Sequence, residues 1–559
     1  MMESQADQID LLLASARDHK AVLEDGLAAD SVILAPKPKK DESQLRARRD
    51  AERSDLRLQR WGVIVPEGKT GEALLEAIKP LVALRSEEQG AHPMVFEVPP
   101  GLNRKESREW IFDKYEDEDI DEAERPLYLC LLGSPEQTSF ELQHTVGHRA
   151  YIGRVHFEKS NGEVDLDAYA AYAKKVVRYA REGVTSERPD LTYYVAPDGS
   201  RATRNAIPKL VSPSIEASER SVANGRLNAS IRQLEVDSVD SFLTANASPR
   251  PSVLLSVSHG LGGSPDDYNS ADEQRMRQGA LVVGRKEVLD AEAMTGKTFL
   301  PGGLWLFFAC FGAATPSTSE YYKWLDVLAK TGTYQNSAKA VLSSLAMSGR
   351  GFIAALPQAA LRNPNGPLAV IGHVDLAWNY SYVDPNSPSK SRSSKFTRVL
   401  HTMTRGARVG CAHDEMMEQF REANFELSSM YDTAEDARIA GRPDPTDPKA
   451  KARIWMLRND LRGYILLGDP AARLPQAELN GRTPAEAPEP PVVEVQTAAR
   501  TPTSIPISQD TKTAAVQALL EGNEAPRVIA ERAGCSLAEL FAWFDAHRAA
   551  ERKKQMDGL

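Results

Sequence analysis

The sequence predicts an α/β protein: a three-layer sandwich around a mostly parallel sheet, followed by a small all-α module. Two observations carry this. Strand-length apolar runs alternate with amphipathic helical stretches from Trp61 onward and again from Pro251 to about Pro475, and strands separated by helices pair in parallel. After Gln476 the composition shifts to Pro, Ala, Glu and Thr before three short helical patterns close the chain. At 559 residues more than one domain is expected.

Residues 1–58 read as a charged helical arm, because KPKKDESQLRARRDAERSDLRLQR mixes both signs along a solvated face. A first α/β subdomain, 59–190, holds the strand candidates WGVIVP, MVFEVP, PLYLCLLG and RAYIGRVHF. In its long helix Tyr169, Tyr172, Val176 and Tyr179 share a face and belong to the core. The second block, 191–475, contains PSVLLSVSHG, GALVVG, GGLWLFFACFG, GFIAALPQ and PLAVIGHVDLAW. Residues 476–510 read as an extended linker. Residues 511–559 read as a helix-turn-helix-like module with breaks at Gly522 and Gly534.

A net charge of -10 argues against a protein built around phosphate contacts, and ELFAWFDAH in the last helix carries acids where a DNA-reading face needs bases. The start, MMESQADQIDLLLASARDHK, lacks the basic and apolar regions of an export signal, and no stretch approaches a membrane span of about 20 apolar residues; a cytoplasmic protein is expected. The four cysteines form no C-x-x-C pair, which speaks against a disulfide framework or a structural zinc. Cys130, Cys411 and Cys535 read as small buried hydrophobes. His144 and His148 stand four apart but lack a third ligand, so neither a metal nor another cofactor is expected.

Two apolar strands of the second block end on reactive residues. PSVLLSVSHG terminates in His259 and Gly260; GGLWLFFACFG terminates in Cys310. Parallel strands present their carboxyl ends at one edge, where ligands bind. An imidazole beside a thiol can take its proton and later return it to a leaving amine. The amides of Gly260 and Cys310 can form an oxyanion hole, with Gly260 leaving a substrate carbonyl room to approach. Gly262 and Gly263 leave space for a peptide strand.

The pair SVSHG and FFACFG resembles the His-Gly and Ala-Cys strands shared by caspases, gingipains, separases and the bacterial caspase-like domains called CHAT, and its separation of 51 positions agrees with the caspase spacing of about 50. GALVVGRKEVLDAEAM is similar to the CHAT connection between the two strands. GRGFIAALPQAALRNPNGPLAVIGHVDLAW, FTRVLHTMTRGARVGCA and YILLGDPAARL resemble the closing elements of a gingipain catalytic domain. PLYLCLLGSPEQTSFELQHTV and YIGRVHFE resemble its preceding non-catalytic subdomain. The likeness runs over about 60–475. It implies a Clan CD cysteine endopeptidase acting on protein substrates, in a bacterial defence (antiviral) or cell-death setting, with His259 and Cys310 catalytic and residues 511–559 binding a protein partner. Two departures limit it. Gingipains are secreted, and FFACFG does not match Q-A-C-[RQG]-G, so neither export nor aspartate specificity carries over.

A pocket selective for Arg or Lys needs a buried carboxylate, and Asp237, Asp240, Asp266, Asp267 and Asp375 are candidates. Asp375, with Trp378 as an apolar wall, and Asp266 are the expected pocket residues. His373 reads as core or pocket lining, and Asp469 in LLGDP as a turn former before Pro470. Two other functions stay open: a silent scaffold retaining the fold, and a DNA-binding regulator led by the C-terminal helices.

Overall fold

The computed structural model describes residues 8–24, 26–28, 31, 52–263, 267–344, 350–384, 387–476, 508–521 and positions 529, 532, 533, 535, 543 and 547. The chain divides into two units, Met1–Leu479 and Asn480–Leu559. The linker expected at 476–510 and most of the terminal module lie outside the described residues. Within the second unit a helix spans Gln509–Glu521, and Ala515 and Ile529 are buried against Ala518, Ala533, Cys535 and Trp543.

The first unit is mixed α/β around a ten-stranded sheet. Its strands are β1 (Trp61–Pro66), β2 (Met94–Val98), β3 (Tyr128–Leu132), β4 (Tyr151–Val155), β5 (Asp190–Val195), β6 (Ser230–Leu234), β7 (Ser252–Val257), β8 (Leu304–Phe308), β9 (Ala369–His373) and β10 (Tyr464–Gly468). Their order is β2-β1-β3-β4-β10-β9-β8-β7-β5-β6. Every pairing is parallel except β9 with β10. The two α/β blocks therefore share one sheet, in two parallel halves of opposite direction that meet at that seam. The closing strand β10 runs with the first half although it comes from the end of the second block. Sequence periodicity reports burial, not neighbours, so this register was not legible.

The sheet is covered on both faces, which is why its central strands are buried throughout and mostly apolar. In β1, Ile64 joins Leu129, Leu131, Trp110 and Leu142 on one side. Val63 and Val65 join Cys130, Leu74, Tyr169 and Tyr172 on the other. The helix Leu166–Arg181 buries Tyr169, Tyr172 and Val176, and Tyr179 packs partly buried at the edge of the same core.

One expectation fails in part. The start of the N-terminal arm is strand, not helix: Gln8–Ile9 pairs with Leu27–Ala28, and Leu13–Ser15 adds parallel to Gly260–Gly262, while Leu56–Gln59 is helical and most of the charged stretch, residues 32–51, lies outside the described residues. The apolar run Ile9–Ala16 finds strand partners far away in sequence, and that burial outweighs local propensity. Asp469 starts a turn as expected, its C=O accepting from Ala472 N–H at 3.0 Å, and it is also buried. Its buried carboxylate accepts from Arg85 Nε (2.9 Å) and Nη2 (2.5 Å) and from Trp61 Nε1 (2.9 Å), and it also caps Ala471 N–H at 3.1 Å.

Candidate active site

Four neighbouring strands of the second half, β9-β8-β7-β5, bring their carboxyl ends to one edge. Reading across, these ends lead into Asp375–Trp378, Cys310, His259 and Asp198–Ser200. The sheet order thus delivers a thiol, an imidazole and a carboxylate side by side.

His259 is buried at the end of β7. Its Nε2 lies 2.9 Å from Ser200 Oγ and 3.5 Å from Asp198 Oδ2. Ser200 caps the helix Arg201–Ala206, which fixes its hydroxyl toward the histidine. Thr203 Oγ1 is 2.9 Å from Ser200 Oγ and donates to Asp198 Oδ1 at 2.6 Å, so a hydroxyl chain links imidazole to carboxylate. With the Nε2 proton on Ser200, the Nδ1 lone pair is the basic site; Nδ1 is buried and accepts no hydrogen bond. Burial pushes the imidazole below its ordinary pKa, while Asp198 pulls it back up. The sequence reading missed Asp198 and Ser200. Their signal was present: YYVAPDGS ends an apolar strand on polar residues, as SVSHG does.

Cys310 is fully buried. Ala377 N–H donates to its sulfur at 3.2 Å, and the thiol faces Ala377 O at 3.7 Å. Burial pushes the thiol pKa well up; hydrogen bonding to the backbones of Ala377 and Leu12 works against this, and the carboxylates of Asp375 and Asp460 add to it. No hydrogen bond joins thiol and imidazole among the described residues. The next residue, Phe311, sits at φ 56°, a conformation that strains a bulky side chain and is held by its N–H to Asp375 O at 2.9 Å. That turn aims the Cys310 N–H into the cleft.

The amides of Gly260 and Cys310 converge on one acceptor, the carbonyl oxygen of Leu12, at 2.8 and 3.1 Å. Gly260 is small for a reason other than substrate access: a Cβ there would lie 1.8 Å from Cys310 O, so the two strand ends pass too closely for any side chain. The cleft itself is filled by the segment Gln8–Ser15. Leu11, Leu12 and Leu13 are buried, Leu11 bridges Trp378 in antiparallel fashion, and Leu12 N–H donates to Ala377 O at 3.4 Å.

The expected pocket residues are placed differently. Asp375 is buried, but its carboxylate is spent on Ser319 Oγ (2.8 and 2.9 Å), Glu320 N–H (2.9 Å) and Leu376 N–H (2.7 Å). Burial raises its pKa to about 6. It lines a separate cavity of about 340 Å³ with Phe140, Glu141, His144 and Arg462. Trp378 meets the cleft through its backbone, and its ring packs on Tyr321 and Trp324. Asp266 lies outside the described residues. Asp240 is exposed beside Lys297, and Asp267 faces Arg17.

His373 is core: its ring spans the carbonyls of Asp375 (2.9 Å) and Asp460 (3.0 Å). The buried Asp460 carboxylate takes Trp378 N–H and Ser381 N–H, each at 2.8 Å, and so shapes the cleft wall from the helix Pro448–Arg462. Nothing in NDLRGY distinguished it beforehand. His144 and His148 line one small pocket beside Phe420 and Arg462, and His144 also lines the larger cavity. Among the described residues no group of three or more His, Cys, Asp or Glu is placed to hold a metal, and no helix is long and apolar enough to cross a membrane.

The chain matches no protein-family model and no curated protein. Among solved structures it is similar to the Arg-specific cysteine proteinase gingipain R (RGPB), at TM-score 0.39 and 12% identity over 75% of this chain and 78% of that one. It is likewise similar to the complex of Porphyromonas gingivalis RgpB pro- and mature domains, at TM-score 0.39 and 12% identity over 74% and 79%.

Proposed function

We propose that the chain is a cysteine endopeptidase in which Cys310 attacks the peptide carbonyl and His259 carries the proton. The observation behind this is the convergence of the Gly260 and Cys310 amides on a single peptide oxygen, with the thiol and the imidazole on the two adjoining strand ends. In the reaction His259 takes the thiol proton, and sulfur bonds to the carbonyl carbon. The oxyanion rests on the two amides. The C–N bond breaks as the imidazolium protonates the departing amine, and water, deprotonated by His259, then releases the acyl group from sulfur. Asp198, through Ser200 and Thr203, offsets the transient positive charge on the imidazole.

The test is cleavage of a mixed peptide library by the full chain and by Cys310→Ala. Loss of all cleavage in the variant supports the assignment; equal cleavage by both would remove it. Cytoplasmic action in a defence or cell-death pathway, with residues 511–559 recruiting a protein partner, belongs to the same proposal. Recovery of a defined partner by the full chain, lost on substitution within that module, is its check.

A further inference from the structure

The N-terminal segment lies in the cleft in the pose of a substrate. Its Leu12 carbonyl oxygen accepts from both Gly260 N–H and Cys310 N–H, at 2.8 and 3.1 Å, which is where the carbonyl under attack belongs. The residues before Leu12 run antiparallel to the Ala377–Trp378 wall, and those after it pair in parallel with Gly260–Gly262, in the register Gly260↔Leu13, Leu261↔Ala14, Gly262↔Ser15. An extended peptide held by its backbone on both sides of one carbonyl is β-augmentation of the site itself.

Side chains are fitted as well as backbone. In an extended strand Leu12 and Asp10 point to the same side. Leu12 is buried in the apolar core cluster. Asp10, 2% exposed, pairs with Arg201 Nε at 3.2 Å and accepts from Asn205 Nδ2 at 2.7 Å. Arg201 and Asn205 lie on the helix that Ser200 caps, so one short helix serves both His259 and the acid. On the far side of the bond, Leu13 occupies the space left by Gly262, where a Cβ would come within 2.4 Å of Leu13 Cδ1.

We propose that the cleft selects peptides with leucine immediately before the cleaved bond and an acidic residue two positions earlier, and that the chain's own Leu12–Leu13 bond is such a site. This rests on the peptidase reading. In the step, Cys310 sulfur bonds to the Leu12 carbonyl carbon, the Leu12–Leu13 C–N bond breaks, and His259 delivers its proton to the Leu13 nitrogen. Water then hydrolyses the thioester, leaving a carboxylate on Leu12 and a new amino terminus at Leu13. Until that cut the segment excludes other peptides.

Purified full-length protein is incubated and read by intact mass and by sequencing of its amino terminus, beside Cys310→Ala, Asp10→Ala, Arg201→Ala and Leu12→Asp chains whose folding is checked by thermal melting. Loss of residues 1–12 from the wild type alone among the first two is expected, with the Asp10→Ala cut slowed at least about ten-fold, because it removes the carboxylate that Arg201 and Asn205 hold. Leu12→Asp, which drives a charge into an apolar site, should open the cleft and raise cleavage of a peptide library at least about ten-fold over the uncut wild type. That library should show leucine before the cleaved bond. Arg201→Ala should lose the upstream acid preference and keep leucine. Library cleavage after Arg, Lys or Asp, or library cleavage by a preparation that never cuts after Leu12, overturns this proposal and leaves the peptidase reading standing. If neither wild type nor Leu12→Asp cleaves any peptide, and a peptide-linked thiol reagent leaves Cys310 unlabelled in both, both fall.

Discussion

Asp198 Oδ2 stands 3.5 Å from His259 Nε2, buried and without a hydrogen-bond donor of its own, while Oδ1 of the same carboxylate is fully engaged by Ser200 N–H and Thr203 Oγ1. One oxygen is fixed by the loop and the other is free to answer charge on the imidazole. The carboxylate therefore acts through His259, as a positioning group.

Asp198→Asn keeps the shape and removes the charge. Because Asp198 raises the His259 pKa against the effect of burial, the variant's imidazole should titrate at lower pH, seen directly by NMR of the histidine ring. If the chain is a peptidase, kcat should fall by about 10- to 100-fold with KM little changed.

Gly260 and Gly262 separate two kinds of crowding. Gly260→Ala forces a Cβ against the Cys310 backbone oxygen and should destabilise the chain by about 1–3 kcal/mol in chemical denaturation. Gly262→Ala meets only the movable end of Leu13, so the core should hold its stability while amide exchange quickens along Leu13–Ser15.

The buried pair Arg85–Asp469 ties the end of β10 to the helix Lys79–Gln89, and Asp469 also holds the Trp61 indole. Asp469→Ala strips the enclosed guanidinium of its fully buried carboxylate and leaves it Glu88 alone. It should cost about 3–5 kcal/mol of stability, measured by urea unfolding.

Asp375 carries a pH signature. Its carboxyl keeps its proton in the folded chain to about pH 6, against 3.8 in the open chain, so the folded state binds the extra proton between these values. Its contribution to stability is complete below about pH 4 and is lost as pH rises through 6. Relative to Asp375→Asn, the wild type should therefore lose roughly 3 kcal/mol between pH 4 and pH 7, read from paired denaturation curves.

The candidate site was partly legible because its two best signals are local. An apolar strand that stops on His-Gly or Cys-Phe-Gly announces a functional end without reference to any other part of the chain. Asp198 was overlooked because its importance depends on β5 lying beside β7, with β6 placed outside them. The surroundings of Asp375 were not legible, because a carboxylate near a strand end looks the same whether it faces a cleft or is held by Ser319 and its neighbours' amides.

By itself the sequence determined the alternation of strands and helices, the burial of the central strands, and the positions of His259 and Cys310 at strand ends, since these follow from residue types and short periods. Only the tertiary structure decided that two blocks share one sheet, that Asp198 answers His259, and that Leu12 rather than open solvent meets the Gly260 and Cys310 amides. Those are pairings between distant segments. They are selected by which edges and apolar faces close against each other, a sum over the whole fold that no local pattern encodes.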